Sequence, residues 1–321
     1  MFLVSAVITT KNRCDVLVRA LNSVNDQIYA ELEIVVVDDA STDNTQTVCK
    51  NYKSRFPLKY VRIAPEESKG GNYARNQGIL NASGDYIAFL DDDDEWLEQK
   101  ISEQMDYMEA HPEVSGVVCA YEEIYLVNGK NYSSVRDQYC CDVLQKRFEL
   151  GGKAFPYAYA GITSGLLMKK QALLNIGMFD ENLKAFQEVE MTYRFRCHYE
   201  IGAITKPLLK YYNSIQNRTV QVSTAIDRVQ ESYTYIEHKY AHDFENMTDE
   251  ARKTWEFTKV SNLFDRCARA GNRRLSWKYG MLSLKYLRSN SQGTAIKFLI
   301  KLFVIQVGGF GSFVKLKTMK G

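Results

Sequence analysis

The chain has 321 residues, 45% hydrophobic, 25% charged and 12% aromatic, which excludes a disordered chain, a collagen and a small disulfide scaffold and allows one large core or two. The overall charge of +2 carries no information about partners, but its distribution does: of 41 Lys and Arg, twelve fall in residues 266–321, where there is no Asp or Glu. An acidic body is followed by a basic tail. Seven cysteines without a C-x-x-C pair argue against a disulfide framework or a thiolate zinc site and for a reducing cytosol.

The apolar start, Met1 to Ile8, has no basic segment before it and meets Lys11 and Arg13 at once, which reads as a first strand rather than a signal peptide. No stretch reaches the roughly 18 to 20 uninterrupted apolar residues of a spanning helix. Short β-rich runs at Leu3 to Thr10, Glu33 to Val37, Lys59 to Ile63, Tyr86 to Leu90 and Val114 to Tyr121 alternate with helical patterns near 13–26, 43–54, 70–81 and 95–110. Such alternation predicts a mostly parallel α/β sheet flanked by helices, with ligands at the carboxyl ends of its strands.

Residues 122–160 form a Tyr-rich stretch with vicinal Cys140 and Cys141 and no assignable pattern. Thr163 to Met168 then reads as a strand, Gln171 to Ile176 as a short helix, Gly177 to Asp180 as a turn and Gln187 to Tyr199 as a helix. Beyond 225 the pattern is helical, at 225–241, 248–270, 273–288 and 293–305. The expected organisation is a catalytic-type domain over 1–215 and a helical, basic region over 216–321.

The strand ends carry the chemistry. Asp91 to Glu95 places five acids in a row after an apolar run, where repulsion calls for a cation. A divalent ion, Mg²⁺ or Mn²⁺, completed by water and phosphate oxygens, meets that need; an acidic turn capping the next helix is the alternative. Trp96 stands where an EF-hand needs Gly. Asp38-Asp39 ends a second strand and suits a metal ligand, a nucleotide contact or a helix cap, while its spacing does not give the D-x-D-x-T of aspartyl phosphatases. A receiver domain would end near residue 125. Gly70-Gly71 opens a helix whose amides, with Arg75 one turn in, suit an anion, or Arg75 is simply solvated. No G-x-G-x-x-G or Walker sequence is present.

Glu190 and Arg194 have the spacing of a helical ion pair, which leaves Glu188 to face elsewhere. His238 and His242 have the spacing that joins two imidazoles on a helix, but without the Glu of H-E-x-x-H. In the tail, Phe298 to Ile300 and Leu302 to Ile305 alternate with Lys297 and Lys301, and Lys315, Lys317 and Lys320 follow. This reads as an amphipathic element on an anionic membrane surface, or as a helix packed on the body. No nucleic-acid motif accompanies the charge, so nucleic acid is not expected as a partner.

Val4 to Arg13, Ile34 to Asp43, Ala74 to Ile79 and Gly84 to Trp96 resemble, in order and spacing, the family 2 glycosyltransferases of GT-A fold, and Gly177 to Glu181 extends the likeness to about residue 200. The resemblance implies metal-dependent, inverting sugar transfer from a nucleotide-sugar donor, UDP favoured, to an acceptor hydroxyl. It sets Thr9 and Asp39 around the nucleoside, Arg75 near the phosphates, Asn12, Asp91 and Asp92 on the donor, and Asp93 and Asp94 on ribose and metal. The family's base lies in a Glu-Asp pair after the G-x-F-D turn; Gln187-Glu188 occupies it here, so Glu188 is the expected base and Glu190 its substitute. With the tail, the implied acceptor is a glycan or lipid-linked glycan at the cytoplasmic face of the membrane. The competing expectations are a nucleotidylyltransferase, which would want a Gly-rich loop after the first strand, and a nucleotide-sugar-binding protein without turnover.

Overall fold

A computed structural model describes residues 1–127, 130–136, 161–214, 226–286, 303 and 305. The first four strands, β1 (Val4–Thr10), β2 (Leu32–Asp39), β3 (Leu58–Ile63) and β4 (Tyr86–Asp91), pair in parallel in the order β3-β2-β1-β4. Between them run α1 (Cys14–Asn25), α2 (Thr45–Asn51) and α3 (Gly71–Asn81). Successive side chains of a strand point to opposite faces, so Val4, Ala6 and Ile8 of β1 join one core cluster with Leu17, Leu21 and Val24 of α1. Val7 joins a second cluster with Val35, Val37 and Ile79 of α3. Gly78 lets α3 sit directly on the sheet: a Cβ there would lie 2.3 Å from Val7 Cγ1.

Beyond β4 the sheet is mixed. β8 (Leu166–Lys169) pairs antiparallel with β4 and with β6 (Val114–Val127), and β9 (Glu200–Ser214) lies parallel to β6. The two-residue β5 (Glu95–Trp96) adds antiparallel to β9, and β7 (Lys130–Arg136) folds back on β6, giving nine strands. The parallel order expected from the alternation therefore holds through β4; the Val114 strand does not continue it, because the 166–169 segment inserts between them.

Several boundaries differ from the sequence reading for local reasons. The helix expected from 95 begins as α4 (Lys100–Ala110), because Glu95 and Trp96 pair with Leu209 and Lys210. The strand expected from Thr163 opens with a 3₁₀ turn at Thr163–Gly165. The unassigned stretch after 121 starts as the continuation of β6 and its hairpin, while 137–160, with Cys140 and Cys141, lies outside the described residues. β9 was not anticipated, since its lysines and Pro207 mask a strand pattern.

α5 (Lys170–Asn175) and α6 (Gln187–Arg196) cover the sheet, followed by α7 (Ile226–Lys239), α8 (Ala241–Glu245), α9 (Asp249–Arg269) and α10 (Arg273–Tyr286). A third cluster, with Leu183, Tyr193, Val229, Tyr233 and Trp255, packs these C-terminal helices onto α6 and the loop before it. The chain breaks at Tyr240, so His238 and His242 sit on different helices and the expected one-helix spacing is lost. Apart from Phe303 and Ile305, the 293–305 helix and its lysines lie outside the described residues, as do Lys315, Lys317 and Lys320. Among the described residues no helix is long and apolar enough to cross a membrane.

Candidate active site

Because β1, β2 and β4 are adjacent and parallel, their carboxyl ends meet on one edge, with Thr9 opposite Asp91 and Thr10 opposite Asp38. The strand pleat then separates the neighbours Asp38 and Asp39. Asp38 is fully buried and accepts from Tyr60 Oη (2.5 Å), Arg62 Nη1 (3.0 Å) and the Ser41 amide (2.8 Å), which fixes the β2–α2 loop. Asp39 faces a cleft: Lys11 Nζ reaches its Oδ2 at 3.3 Å and Ser68 Oγ at 2.8 Å, while its buried Oδ1 has no hydrogen-bond partner among the described residues. Asn12 is spent elsewhere. Its Oδ1 accepts from the Thr42 amide (2.7 Å) and its own amide donates to Ser41 Oγ (2.8 Å), so it staples two loops instead of lining the cleft expected of a donor-binding residue.

The acidic run folds into a turn closed by the Asp94 amide on Asp91 O at 3.0 Å, and its side chains diverge. Asp91 accepts from Arg75 Nη2 at 2.6 Å. Arg13 Nη1 holds Asp92 Oδ1 at 2.6 Å and Asp93 Oδ2 at 3.0 Å, and Arg19 Nη2 donates to Asp93 O. Asp91, Asp92 and Asp93 line the cleft. Asp94 does not: it is buried, and its oxygens accept from Ser164 Oγ (2.5 Å) and the Tyr212 amide (3.2 Å). The expectation that Asp94 binds metal beside Asp93 thus meets a side chain committed to the sheet interior. Sequence reasoning missed Ser164, whose Oγ also accepts from the Asp91 amide (3.0 Å) and so organises the turn from a distant 3₁₀ segment.

Desolvation dominates the electrostatics. Burial pushes Asp92 up to about 6, with Arg13 opposing and Asp93 adding to it. Burial also raises Asp93 and, well above the carboxylate range, Asp94, each helped by neighbouring acids. Burial works against the charges of Arg13 and Arg75, but the facing aspartates outweigh it and raise both.

α3 links this edge to Glu188. Gly70 takes a positive φ of 96° to turn the chain into the helix, a conformation glycine adopts without strain. From α3, Asn72 Nδ2 donates to Asp180 O (2.6 Å) and Leu183 O (2.9 Å), and Asn76 clamps Phe179, which fixes the loop entering α6. Phe186 caps α6 in the left-handed region, φ 62°, and two residues on Glu188 turns toward the cleft. Its own backbone amide bonds its carboxylate, and no side-chain hydrogen bond or ion pair joins it among the described residues. Burial raises its pKa, Asp91 adds to the rise, and Arg75 and Arg266 oppose it. Glu190, the substitute base, is fully buried and bound by Arg194 (2.7 Å), Lys239 (2.8 Å) and Tyr240 (2.5 Å), partners that hold it ionised against burial. It is a structural ion pair away from the cleft.

The cleft has a volume of about 850 Å³, and besides Thr9, Asp39, Arg75 and Glu188 it is walled by Tyr212 of β9 and by Arg228 and Arg266 of the C-terminal helices. Those last two carried no local sequence signal, because only the packing of α7 and α9 brings them here. Among the described residues no three His, Cys, Asp or Glu side chains are grouped to hold a metal by themselves. The donor set still fits Mg²⁺ or Mn²⁺: Asp91 and Asp93 offer hard oxygens at the cleft, and such ions commonly take one or two carboxylates and fill the remaining positions with water and substrate phosphates.

The profile described as glycosyl transferase family 2 matches residues 5–171. The putative teichuronic acid biosynthesis glycosyltransferase TuaG of Bacillus subtilis is 36% identical over 109 residues, 33% of this chain and 42% of that protein. The UDP-Glc:alpha-D-GlcNAc-diphosphoundecaprenol beta-1,3-glucosyltransferase WfaP of Escherichia coli is 36% identical over 126 residues, 39% and 47% of the two chains. An uncharacterized glycosyltransferase of Rickettsia prowazekii is 30% identical over 197 residues, 60% and 58%. The chain thus spans less than two thirds of the length of these curated relatives. Among solved structures, S. aureus TarS 1-349 in complex with UDP-GlcNAc aligns with a TM-score of 0.56 at 16% identity over 94% of this chain and 91% of that one. The mannosyltransferase PcManGT from Pyrobaculum calidifontis, in complex with GDP-Man and Mn²⁺, aligns with a TM-score of 0.57 at 18% identity over 96% and 87%. These neighbours share the fold, a GT-A arrangement.

Proposed function

The chain belongs to glycosyl transferase family 2, and on that premise we propose that it moves a sugar, with inversion, from a nucleotide-diphosphate sugar to a hydroxyl of a glycan or lipid-linked acceptor in surface polysaccharide assembly. The observation that carries the reading is the meeting in one cleft of Asp39, the Arg75–Asp91 pair, Asp93 and Glu188. The unpartnered Asp39 Oδ1 suits a base N–H, such as the N3–H of uracil in a UDP-sugar. Thr9 lies beside it. Asp92, already oriented by Arg13, faces the ribose side, while Asp91 and Asp93 would hold Mg²⁺ or Mn²⁺ against the diphosphate.

A bound divalent ion supplies charge compensation for the leaving nucleoside diphosphate. Arg75 adds a fixed, buried positive charge to the same end. Glu188 takes the proton of the acceptor hydroxyl as its oxygen attacks the anomeric carbon, and the carbon–phosphate oxygen bond breaks on the opposite face, so one displacement inverts the centre. On this reading 1–215 carries the transfer and 216–321 is a helical region at the inner face of an anionic membrane. Support for the latter comes from α10, whose Trp277, Met281 and Leu282 are 50%, 46% and 37% exposed beside Arg274, Lys278 and Lys285.

The test is nucleotide release from UDP-, GDP- and dTDP-sugars with Mn²⁺, Mg²⁺ or EDTA, together with donor titrations of wild type and Glu188→Gln. Metal-dependent release from one donor, with the variant binding that donor normally but turning over at least 100-fold more slowly, is expected. Binding of none of the three donors in any metal would overturn the reading.

A further inference from the structure

Two cations of the cleft come from the C-terminal helices, and both lie outside residues 5–171, the part shared with the family profile. Arg266 of α9 stands with its guanidinium 5.0 Å from the centre of the Phe186 ring, the residue that caps the base helix. Its charge favours the ionised form of Glu188. Arg228 of α7 is exposed, and no ion pair joins it to a carboxylate among the described residues, yet its neighbour Val229 is fully buried in the third core cluster. The helix carrying it is therefore fixed. Glu188 stands between two charged settings: Arg75 and Asp91 from the sheet half, and Arg266 from the helical half.

The donor-side cations are already engaged, Arg75 with Asp91 and Arg13 with Asp92 and Asp93. An anionic acceptor would also be repelled by a body in which all 39 acids lie before residue 266. A guanidinium recognises phosphate or carboxylate through forked hydrogen bonds, and two of them line this side of the cleft. We propose that Arg228 and Arg266 form an anion subsite for the acceptor, binding a phosphate or carboxylate that it carries and so setting its hydroxyl against Glu188. This rests on the transferase reading and names the acceptor class it leaves open.

The experiment uses the full chain saturated with UDP, or in parallel GDP, and Mg²⁺, titrated by calorimetry with glycerol 3-phosphate, glucuronate and uncharged glucose. The two anions are expected to bind at least tenfold more tightly than glucose. Arg228→Gln/Arg266→Gln is expected to remove that advantage with nucleotide affinity unchanged within twofold, and the paired Lys variants to keep more of it than the Gln variants. Anions binding no better than glucose would overturn the subsite. So would Lys variants as impaired as Gln variants, or a loss of UDP affinity in step with anion affinity, which would assign the arginines to the donor diphosphate. A chain that binds neither UDP nor GDP would instead sink the transferase reading itself.

Discussion

Asn76 and Phe179 exchange two hydrogen bonds: the Asn76 amide nitrogen donates to Phe179 O at 2.9 Å, and the Phe179 N–H donates to Asn76 Oδ1 at 2.9 Å. Asn76 is the neighbour of Arg75 on α3, and Phe179 lies in the turn that leads to α6, so one side chain spaces Arg75 from Glu188. Asn76→Ala strands two buried backbone groups and is expected to lower unfolding free energy by about 1–3 kcal/mol. It should also depress kcat more than it raises the donor KM. Denaturant unfolding beside steady-state kinetics checks both; unchanged stability would show that the loop holds itself.

Asp38 and Asp39 should separate cleanly. Asp39→Ala is expected to weaken nucleotide binding by roughly 10- to 100-fold, the worth of one hydrogen bond to a charged acceptor, with little loss of stability. Asp38→Ala removes the partner of Tyr60, Arg62 and the Ser41 amide and should instead destabilise the fold by about 2–4 kcal/mol. Equal effects of the two on nucleotide titrations would contradict the division of labour.

The Glu188 carboxyl is held above its ordinary range by burial, with Asp91 adding and Arg75 and Arg266 opposing. A base works deprotonated, so activity should fall as pH drops through this raised value, placing the acid limb of kcat above the usual glutamate range. Removing an opposing cation with Arg266→Gln should move the limb to still higher pH. A limb at the ordinary glutamate value in both proteins would remove Glu188 from the role.

Lys100 is fully buried, with Nζ 2.7 Å from Gln104 Oε1 and 4.2 Å from the Trp96 ring centre, and no carboxylate pairs with it among the described residues. Burial pushes its pKa down to about 8. The unfolded chain then binds more protons between pH 8 and the ordinary lysine value, so stability should rise with pH across that window, and the penalty is fully present below it. Lys100→Met is expected to stabilise the protein at pH 7 by about 1–3 kcal/mol, the shift less the lost Gln104 bond, and to flatten this part of the pH profile. Thermal unfolding of both proteins at pH 7 and pH 10 measures the difference.

Trp277, Met281 and Leu282 on α10 should insert into anionic vesicles. Trp277→Glu/Met281→Glu is expected to reduce co-sedimentation with phosphatidylglycerol vesicles at least fivefold, with nucleotide binding intact. Equal sedimentation of the variant would move any membrane contact off this helix.

The nucleotide half was legible because its signals are local. β1, β2 and β4 are short, nearly continuous apolar runs, each ending in the polar residues of the site, and parallel neighbours must bring those ends together. Thr9, Asp39, Arg75, the Asp91–Asp93 run and Glu188, singled out by the strand ends and the family resemblance, all line one cleft. β9 was hidden, since its lysines and tyrosines break the alternation that marks a strand, and the helix expected at 95 lost its first turn to a pairing with residues more than a hundred positions away.

What the sequence determined by itself was the α/β plan, the family and the set of residue types at the strand ends, all of which follow from periodicity and short motifs. The tertiary structure decided which of those residues face the cleft. Asp38, Asn12, Asp94 and Glu190 look as chemically able as their neighbours, but each is engaged by distant partners: Tyr60 and Arg62, the Thr42 amide, Ser164 and Tyr212, and Lys239 and Tyr240. It also decided that Arg228 and Arg266 line the cleft. Contacts between residues far apart in sequence leave no local pattern, because their partner is set by how helices and sheet pack, and packing is a property of the whole chain.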